Sequence, residues 1–274
     1  MNNPIKWTGS KRNYSKEIIK YFPKYIDNFY EPFCGSASVT LQLLSTDIKI
    51  NNIICSDINS DLINLWNDIK HNVNNLIDDY YKLWNKLNSY DDIDDKKLFY
   101  YNVRNMFNES RNTSYFLFLI RTSYNGLIRY NRDNGFNVGL HFTRKGIHPD
   151  KLKNILINTN YLVNLKDVKF EISSYNDILN NINKDDFIYF DPPYYNSKLI
   201  YYGNFDYNKF FSYIKGLNCN YALSFDGNSR NNIKIDNNLY TEHYYINNGN
   251  SSFSRLKNKK ININESLYLK LENN

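Results

Sequence analysis

A strand, a tight turn, a helix and a second strand follow one another directly near the start of the chain. The run NFYEPF at residues 28–33 is rich in strand-forming side chains, and SASVTLQLL at 36–44 predicts a helix. The run NNIICSDIN at 51–59 then predicts a buried strand that ends at Asp57. Units of this kind pair their strands in parallel. The unit therefore predicts an α/β fold built around a parallel sheet.

A helix is predicted directly after Asp57, and further strands follow at a distance. The helix has Asn59 or Ser60 as a cap and apolar residues at helical spacing, namely Leu62, Leu65, Trp66 and Ile69. Four later runs fit the same sheet: VKFEI at 168–172, FIYF at 187–190, YALSF at 221–225 and ESLYLKL at 265–271.

The region between the second and third predicted strands has a different character. The stretches at 76–90 and 113–130 predict helices, and Asp133-Asn134-Gly135 is a turn signal between segments that can pair as a hairpin. No internal repeat or long low-complexity linker interrupts the chain. We therefore predict a helical lobe with a β-hairpin, inserted into an α/β core. The lobe comprises residues 58–159, and the core comprises residues 1–57 and 160–274.

The formal net charge of +6 is unevenly distributed. Basic residues concentrate in three clusters: Lys6, Lys11 and Arg12; Arg121, Arg129, Arg132, Arg144 and Lys145; and Arg255, Lys257, Lys259 and Lys260. Basic clusters interleaved with aromatic residues suit a polyanionic partner such as a nucleic acid. A solvated basic surface with no such partner is the alternative that charge alone leaves open.

Cysteine and histidine usage favours a protein that folds without disulfides or metal. The three cysteines are an odd number without C-x-x-C spacing, which predicts a reducing compartment. The four histidines have no zinc-binding spacing. No apolar stretch approaches about 18 residues, and the first residues lack the apolar core of a signal peptide. These features predict a soluble protein of the cytoplasm, with no membrane association.

Gly35 and Asp57 are placed as in a nucleoside-binding unit. A glycine in the turn lets the backbone approach a ligand, and an acid at the end of the next strand can bind ribose hydroxyls. The sequence GSASVT lacks the further glycines of a dinucleotide-binding fingerprint, and no G-K-[ST] follows to form a P-loop. An ordinary tight turn and an incidental acid remain the alternative for this unit taken alone.

The stretch FIYFDPPY at 187–194 ends a predicted buried strand with a carboxylate, two prolines and a tyrosine. Asp191 is thereby placed at the carboxyl edge of the sheet, where open α/β sheets bind ligands. Pro192 and Pro193 stiffen the loop and remove two N–H donors, so acceptors dominate. Tyr194 adds an aromatic face. The combination suits a planar group with an exocyclic amine, whereas a proline-terminated strand is the alternative without function.

Taken together in order, these pieces resemble the Dam-like, α-class DNA adenine-N6 methyltransferases. The resemblance covers nearly the whole chain and lies in KWTGSK (6–11), EPFCGSASV (31–39), SDINSDLI (56–63), YNGLIRYNRDNGFNV (124–138), ISSY (172–175) and DPPY (191–194). The stretches LSFDGNS (223–229) and GNSSFS to ESLYL (249–269) are similar to a subgroup linked to restriction. The Ser-Ala-Ser after Gly35 departs from relatives with further glycine.

The resemblance implies a Rossmann-like core that binds S-adenosylmethionine and flips the target adenine out of the duplex. Asp191 and the Pro192 carbonyl would accept hydrogen bonds from the N6 amine, and Tyr194 would stack on the base. The methyl group would pass directly from sulfonium to nitrogen, without a metal. For the cofactor, the resemblance implies these residues: Trp7, Lys11, Phe33, Gly35, Asp57, Ser174, Tyr175 and Asp191. A place in the core is the alternative for Trp7.

For DNA, the resemblance places the hairpin region in the major groove. Arg129 would contact a guanine edge or a phosphate, Asn125 would reach a base edge, and Leu127 would occupy the space that the flipped base leaves. Tyr124 and Asn131 are also expected to contact DNA. The alternative for Tyr124 and Leu127 is a place in the lobe's own core. The expected partners are double-stranded DNA and a restriction endonuclease acting on the same site, and the expected state is a monomer.

Two other functions stay open at this stage. A loop of the D-P-P-Y type also serves N-methylation of cytosine N4, of an RNA base or of a protein amide, since each presents a planar nitrogen. A DNA-binding module that has lost catalysis is the other possibility. Its signature would be damage to Asp191, Tyr194 or Asp57, and all three residues are present.

Overall fold

One mixed sheet organises the part of the chain that the computed structural model describes, which comprises residues 2–178, 182–194, 205–226, 235–250 and 262–271. Its strands are β1 (Tyr25–Glu31), β2 (Lys49–Asp57), β3 (Lys169–Ile172), β4 (Phe187–Phe190), β5 (Asn220–Asp226), β6 (Glu242–Asn250) and β7 (Asn262–Lys270). Their order is β3-β2-β1-β4-β5-β7-β6. The first five are parallel, and β7 runs antiparallel to both β5 and β6. The predicted Rossmann-like α/β core is confirmed.

Each strand expected from the sequence is present, and β6 is an addition. The sequence of β6, EHYYINNGN, ends in asparagine and glycine, which usually indicate a loop. Its pairing with β7 extends from Glu242 opposite Leu269 to Asn250 opposite Asn262. The strand therefore forms because β7 offers it a partner, rather than from local preference.

The helices in the described residues are α1 (Ser15–Ile18), α2 (Ser38–Leu43), α3 (Ser60–His71), α4 (Val73–Asn88), α5 (Ile93–Ser110), α6 (Thr113–Thr122), α7 (Pro149–Leu165), α8 (Tyr175–Ile178) and α9 (Tyr207–Lys215). Helix α3 begins as expected, because the Asn59 side chain accepts a hydrogen bond from the Leu62 amide at 3.0 Å. Trp66 on α3 stacks on Phe170 of β3 with ring centroids 4.9 Å apart. The division of the chain at residues 58 and 160 stays a prediction.

The helix predicted over residues 113–130 is too long. Helix α6 ends at Thr122, and Ser123 is extended. Asn125 has a φ of 53° and Gly126 a φ of 64°, both in the left-handed region. A Cβ at Gly126 would collide with the side chain of Lys6. The apolar residues beyond Thr122 therefore belong to a turn that lies against the N-terminal segment.

The expected hairpin follows this turn. Tyr130 pairs with Phe136 in an antiparallel bridge. Between them, Asn134 has a φ of 60° and the Asn131 side chain accepts a hydrogen bond from the Gly135 amide at 2.7 Å. Such a side-chain acceptor stabilises a tight turn. The turn signal in the sequence therefore marks a real reversal of the chain.

Strand β4 is buried on both faces and lies between two hydrophobic clusters. Phe187 and Tyr189 belong to the larger cluster, whereas Ile188 and Phe190 belong to the smaller one. A continuous apolar run is the expected signature of a parallel strand covered on both sides.

In the described residues, no helix is both long and apolar enough to cross a membrane.

Candidate functional site

Three strand ends bring three carboxylates to one edge of the sheet. Strand β1 pairs in parallel with β2 on one side and with β4 on the other. Glu31 and Asp57, the last residues of β1 and β2, therefore lie at the same edge as Asp191, which follows β4. A cavity opens at this edge, and its lining comprises Trp7, Thr8, Gly9, Ser10, Lys11, Glu31, Phe33, Cys34, Gly35, Ser36, Ser38, Asp191, Pro192 and Tyr194.

The turn after β1 is built around Gly35, whose φ of +47° is in the left-handed region. A Cβ at this position would lie 2.8 Å from Cδ1 of Trp7, so the indole ring lies directly against the glycine. On the other side, Trp66 Nε1 donates a hydrogen bond to the Gly35 carbonyl at 2.9 Å. The turn is therefore fixed between two tryptophans.

The Ser-Ala-Ser that follows Gly35 connects the turn to the N-terminal segment. Ser36 and Ser38 each lie with their Oγ atoms 2.8 Å from the Ser10 Oγ. Ala37 has a φ of 45°, a conformation that glycine adopts more easily. The hydroxyl contacts hold the segment that carries Trp7 and Lys11 against the turn.

Asp57 is bound by backbone amides of the turn and of the following loop. Its Oδ2 accepts from the Gly35 amide at 3.2 Å, and its Oδ1 accepts from the Asn59 amide at 3.0 Å. Burial raises the pKa of Asp57 to about 6, although these hydrogen bonds act in the opposite direction. The carboxylate thus fixes Gly35 relative to β2.

Phe33 and Tyr175 form an aromatic wall beside the cavity. Their rings stack with centroids 5.6 Å apart, and Tyr175 also meets Phe210 edge to face at 5.2 Å. Ser174 is adjacent, but its hydroxyl donates within its own segment to Asn176 at 2.6 Å. Of these residues, Phe33 lines the cavity itself.

The loop after β4 meets the N-terminal segment through Lys11. The Lys11 Nζ lies 2.6 Å from the Asp191 Oδ1 and 4.7 Å from the centroid of the Tyr194 ring. Burial raises the pKa of Asp191, while the charge of Lys11 and its hydrogen bond lower it. On the far side of the loop, the Tyr207 hydroxyl donates to the Pro193 carbonyl at 2.5 Å. The loop is therefore supported from two directions.

Two buried glutamates belong to the site although the sequence reasoning did not select them. Glu31 accepts from the Thr40 amide at 3.1 Å and from the Thr40 hydroxyl, and burial raises its pKa to about 8. Glu265 accepts from the Tyr194 hydroxyl and lies 3.5 Å from the Lys11 Nζ. Glu31 ends β1 as Asp57 ends β2, so the same sequence signal could have identified it. No comparable local signal in the sequence marks Glu265.

The residues expected at DNA lie on the turn and hairpin after α6. Tyr124, Asn125, Arg129 and Asn131 are exposed, whereas Leu127 is half-buried against the core. The Arg129 Nε donates to the Asn137 side chain at 2.7 Å. Since Gly126 lies against Lys6 and the next residue is Trp7, this turn is adjacent to the cavity.

Some sequence features fall elsewhere. The basic cluster of Arg255, Lys257, Lys259 and Lys260 lies outside the described residues, as do residues 227–229 and 251–261 of the two stretches quoted above. Within the described residues, no group of three or more His, Cys, Asp or Glu side chains is placed to hold a metal ion. The cysteines Cys34, Cys55 and Cys219 are buried.

Comparison with known proteins gives one consistent result. The sequence matches the family described as D12 class N6 adenine-specific DNA methyltransferase over residues 7–265. It is 32% identical over 222 residues to the type II methyltransferase M.MjaIII of Methanocaldococcus jannaschii, with 74% of each chain covered. It is 33% identical over 195 residues to the DNA adenine methylase of Haemophilus influenzae, covering 69% of this chain and 63% of that one.

A third relative is the retron Ec67 DNA adenine methylase of Escherichia coli, 30% identical over 200 residues that cover 71% of this chain and 64% of that one. The match to the two DNA adenine methylases thus spans slightly less than two thirds of their length. The family match extends from Trp7 beside the glycine turn to Glu265 beside Tyr194, and so includes every cavity residue described above. The chain belongs to the D12 class of N6 adenine-specific DNA methyltransferases.

Proposed function

We propose that this protein transfers a methyl group from S-adenosylmethionine to N6 of an adenine that is flipped out of double-stranded DNA. The observation that carries the proposal is the shared cavity: Asp191, Pro192 and Tyr194 line the same space as Trp7 and Gly35. The hydrogen-bond acceptors proposed for the target amine and the glycine turn proposed for the cofactor therefore line the same cavity. Direct transfer between two bound groups needs this juxtaposition.

The chemistry of the residues in and beside the cavity fits the cofactor, although Asp57, Ser174 and Tyr175 lie outside its lining. Lys11 would offer an ammonium to its carboxylate, Asp57 an acceptor to its ribose hydroxyls, and Gly35 a close backbone approach. The aromatic residues would enclose its adenine and methionine ends, with Ser174 beside them: Trp7, Phe33 and Tyr175. When bound, S-adenosylmethionine supplies an electrophilic methyl group on its sulfonium. These residues would orient that group toward Asp191.

The residues around Asp191 would prepare the target nitrogen. The Asp191 carboxylate and the Pro192 carbonyl would accept hydrogen bonds from the N6 amine, which draws its lone pair out of conjugation with the ring. Tyr194 would stack on the flipped base and fix its plane. Lys11 offsets part of the negative charge of Asp191. Since the proton leaves after methyl transfer, Asp191 need not act as a strong base.

The turn and hairpin after α6 would bind the DNA. Arg129 and Asn125 are exposed and would reach base edges in the major groove, and Leu127 would occupy the space of the flipped base. Tyr124 and Asn131 flank them on the same surface. In the free protein, Arg129 is bound to Asn137, so reading a base would require Arg129 to exchange this partner.

The biological setting is inferred from the relatives and from the cysteines. One relative is named a type II methyltransferase, which supports pairing with a restriction endonuclease that acts on the same site. The odd number of cysteines, none of them in C-x-x-C spacing, supports a reducing compartment, and hence the cytoplasm. A monomer suffices, because the residues proposed for cofactor, target base and DNA all come from this one chain.

The decisive experiment uses the purified protein, duplex DNA and S-adenosylmethionine with a radiolabelled methyl group. Digestion of the DNA to nucleosides then identifies the product. We expect label in N6-methyladenine. Label in N4-methylcytosine would overturn the substrate while keeping the mechanism. Label only in RNA or protein offered in parallel would overturn the proposed acceptor, and no transfer to any acceptor would favour a binding module.

A further inference from the structure

Glu265 reaches the site from the antiparallel part of the sheet. Strands β4 and β5 are parallel, so the end of β5 at Asp226 lies at the same edge as the end of β4. Strand β7 runs back along β5, and Glu265 lies opposite Asp226. The first half of β7 is therefore at the edge where the D-P-P-Y loop begins. Glu265 is buried there, with 5% of its surface exposed.

The Glu265 carboxylate makes two contacts with residues proposed for the reaction. Its Oε1 accepts a hydrogen bond from the Tyr194 hydroxyl. The same oxygen lies 3.5 Å from the Lys11 Nζ, which is also 2.6 Å from Asp191. Because a hydroxyl held at the end of the side chain restricts rotation about the Cα–Cβ bond, this hydrogen bond limits where the ring can lie. Glu265 thus fixes the position of the ring on which the target base would stack.

The second contact affects the charge of Asp191. Lys11 carries one positive charge, and the two carboxylates beside it compete for that charge. If Glu265 lost its charge, Lys11 would bind Asp191 more closely. The Asp191 carboxylate would then be a poorer acceptor for hydrogen bonds from the target amine. Burial raises the pKa of Glu265 to about 7, while Lys11 lowers it. Glu265 is therefore mostly ionised, and competes for the Lys11 ammonium, above neutral pH.

We propose that Glu265 is a positioning residue for methyl transfer, which holds the Tyr194 ring in place and shares the Lys11 ammonium with Asp191. The inference rests on the proposed function, since it gives Tyr194 and Asp191 their roles toward the base. Glu265 touches neither base nor cofactor in this scheme. Its effect should appear in the chemical step and in the stacking of the base, rather than in the affinity for DNA.

The test compares Glu265→Gln and Glu265→Ala with Glu242→Gln. Glutamine keeps an acceptor for the Tyr194 hydroxyl but removes the charge, and alanine removes both. Glu242 is a matched control on the neighbouring strand β6, because its carboxylate accepts from the Tyr244 hydroxyl at 2.6 Å at an exposed position. Melting curves and cofactor binding for every variant show whether the fold is intact.

We expect kcat to fall on the order of tenfold for Glu265→Gln and further for Glu265→Ala, while KM for DNA changes by less than about twofold. Glu242→Gln should match the wild type. DNA with 2-aminopurine at the target position gives a second readout. A flipped base stacked on a fixed Tyr194 should be more strongly quenched in the wild type than in Glu265→Ala.

With an active wild type, an unchanged kcat in Glu265→Gln or an unchanged 2-aminopurine signal in folded Glu265→Ala would overturn the inference and leave the proposed function standing. A loss of activity in Glu265→Gln that is fully accounted for by a smaller folded fraction would also overturn it. If Glu265→Ala fails to fold, the near-isosteric glutamine variant decides alone. A wild type that transfers no methyl group to any acceptor would overturn the proposed function itself.

Discussion

The Lys11 ammonium lies 2.6 Å from the Asp191 carboxylate, although the two residues are 180 positions apart in the chain. Lys11 is 6% exposed and Asp191 17%. The ion pair links the segment that would hold the cofactor to the loop that would hold the target base. Because the pair is largely shielded from water, removal of Lys11 leaves the Asp191 charge uncompensated, whereas removal of Asp191 leaves Lys11 with Glu265 at 3.5 Å. Substitution of either residue should therefore have a large effect on methyl transfer.

Asp191→Ala should lower methyl transfer by on the order of 100-fold or more, because the amine loses its charged acceptor and its lone pair stays delocalised. DNA binding should survive, since most affinity for DNA comes from phosphate contacts elsewhere. Radiolabel transfer and a gel shift on the same preparation measure the two effects. A variant that still methylates adenine at the wild-type rate would show that Asp191 has another role.

Lys11→Met should shift the acid limb of the kcat profile to higher pH. Lys11 lowers the pKa of Asp191, and burial raises it, so loss of the ammonium leaves Asp191 protonated up to a higher pH. Tyr194, Glu31 and Glu265 also face this pair, and Lys11 lowers the pKa of both glutamates, so their pKa values rise in the same direction when Lys11 is lost. The measurement uses saturating cofactor. Lys20→Met, which removes a surface lysine paired with Glu17 at 2.6 Å, is the control and should leave the profile in place.

Asp57→Ala should weaken binding of S-adenosylmethionine roughly tenfold or more, because it removes the proposed ribose acceptor and leaves the amides of Gly35 and Asn59 without their partner. Calorimetry without DNA measures this affinity. Asp47→Ala, at an exposed position just before β2, is the control and should bind as the wild type does. Equal affinities in all three proteins would remove Asp57 from the cofactor site.

The fold and half of the site follow from local signals in the sequence. The run FIYF is continuous and apolar because β4 is covered on both faces, and a run of this kind is recognisable without a structure. Asp57 and Asp191 are recognisable because an acid that ends a parallel strand must lie at the carboxyl edge of the sheet. The proximity of Lys11 to Asp191 follows only from the resemblance, since nothing local connects the two.

The remaining features depend on contacts between distant segments. Glu265 enters the site because β7 reverses along β5, and a strand pattern alone does not give the direction of pairing. Strand β6 forms on β7 in spite of its asparagines. The helix predicted through residue 130 was wrong because Asn125 and Gly126 adopt left-handed conformations. The apolar spacing around them gave no indication of that change.

Glu31→Gln should make the cofactor-free protein less sensitive to pH. Burial raises the pKa of Glu31 from 4.5 to about 8, so the folded state binds a proton that the unfolded state has released between these values. Wild-type stability should therefore fall as pH rises from about 5 to 8, at about 1.4 kcal/mol per unit of pKa difference. Urea unfolding at several pH values measures this slope. Equal slopes in both proteins would show that Glu31 is ionised throughout.

Arg129→Ala should reduce discrimination between cognate and random DNA more than it reduces affinity for random DNA. Arg129 is exposed on the hairpin, and its Nε is bound to the Asn137 side chain at 2.7 Å, a partner that it would exchange for a base edge. A bidentate contact to a base is worth about 1–3 kcal/mol of discrimination, whereas a phosphate contact adds salt-dependent affinity for any sequence.

The cognate sequence is first read from the DNA of an expressing host by a method that detects methyladenine. Binding of Arg129→Ala to cognate and random duplexes is then measured at two salt concentrations, beside Arg132→Ala. Arg132 is also exposed and lies at the hairpin turn, so Arg132→Ala removes the same charge from a neighbouring position. We expect only Arg129→Ala to lose discrimination. Equal losses on both duplexes, together with a shallower salt dependence, would assign Arg129 to a phosphate and remove it from base reading.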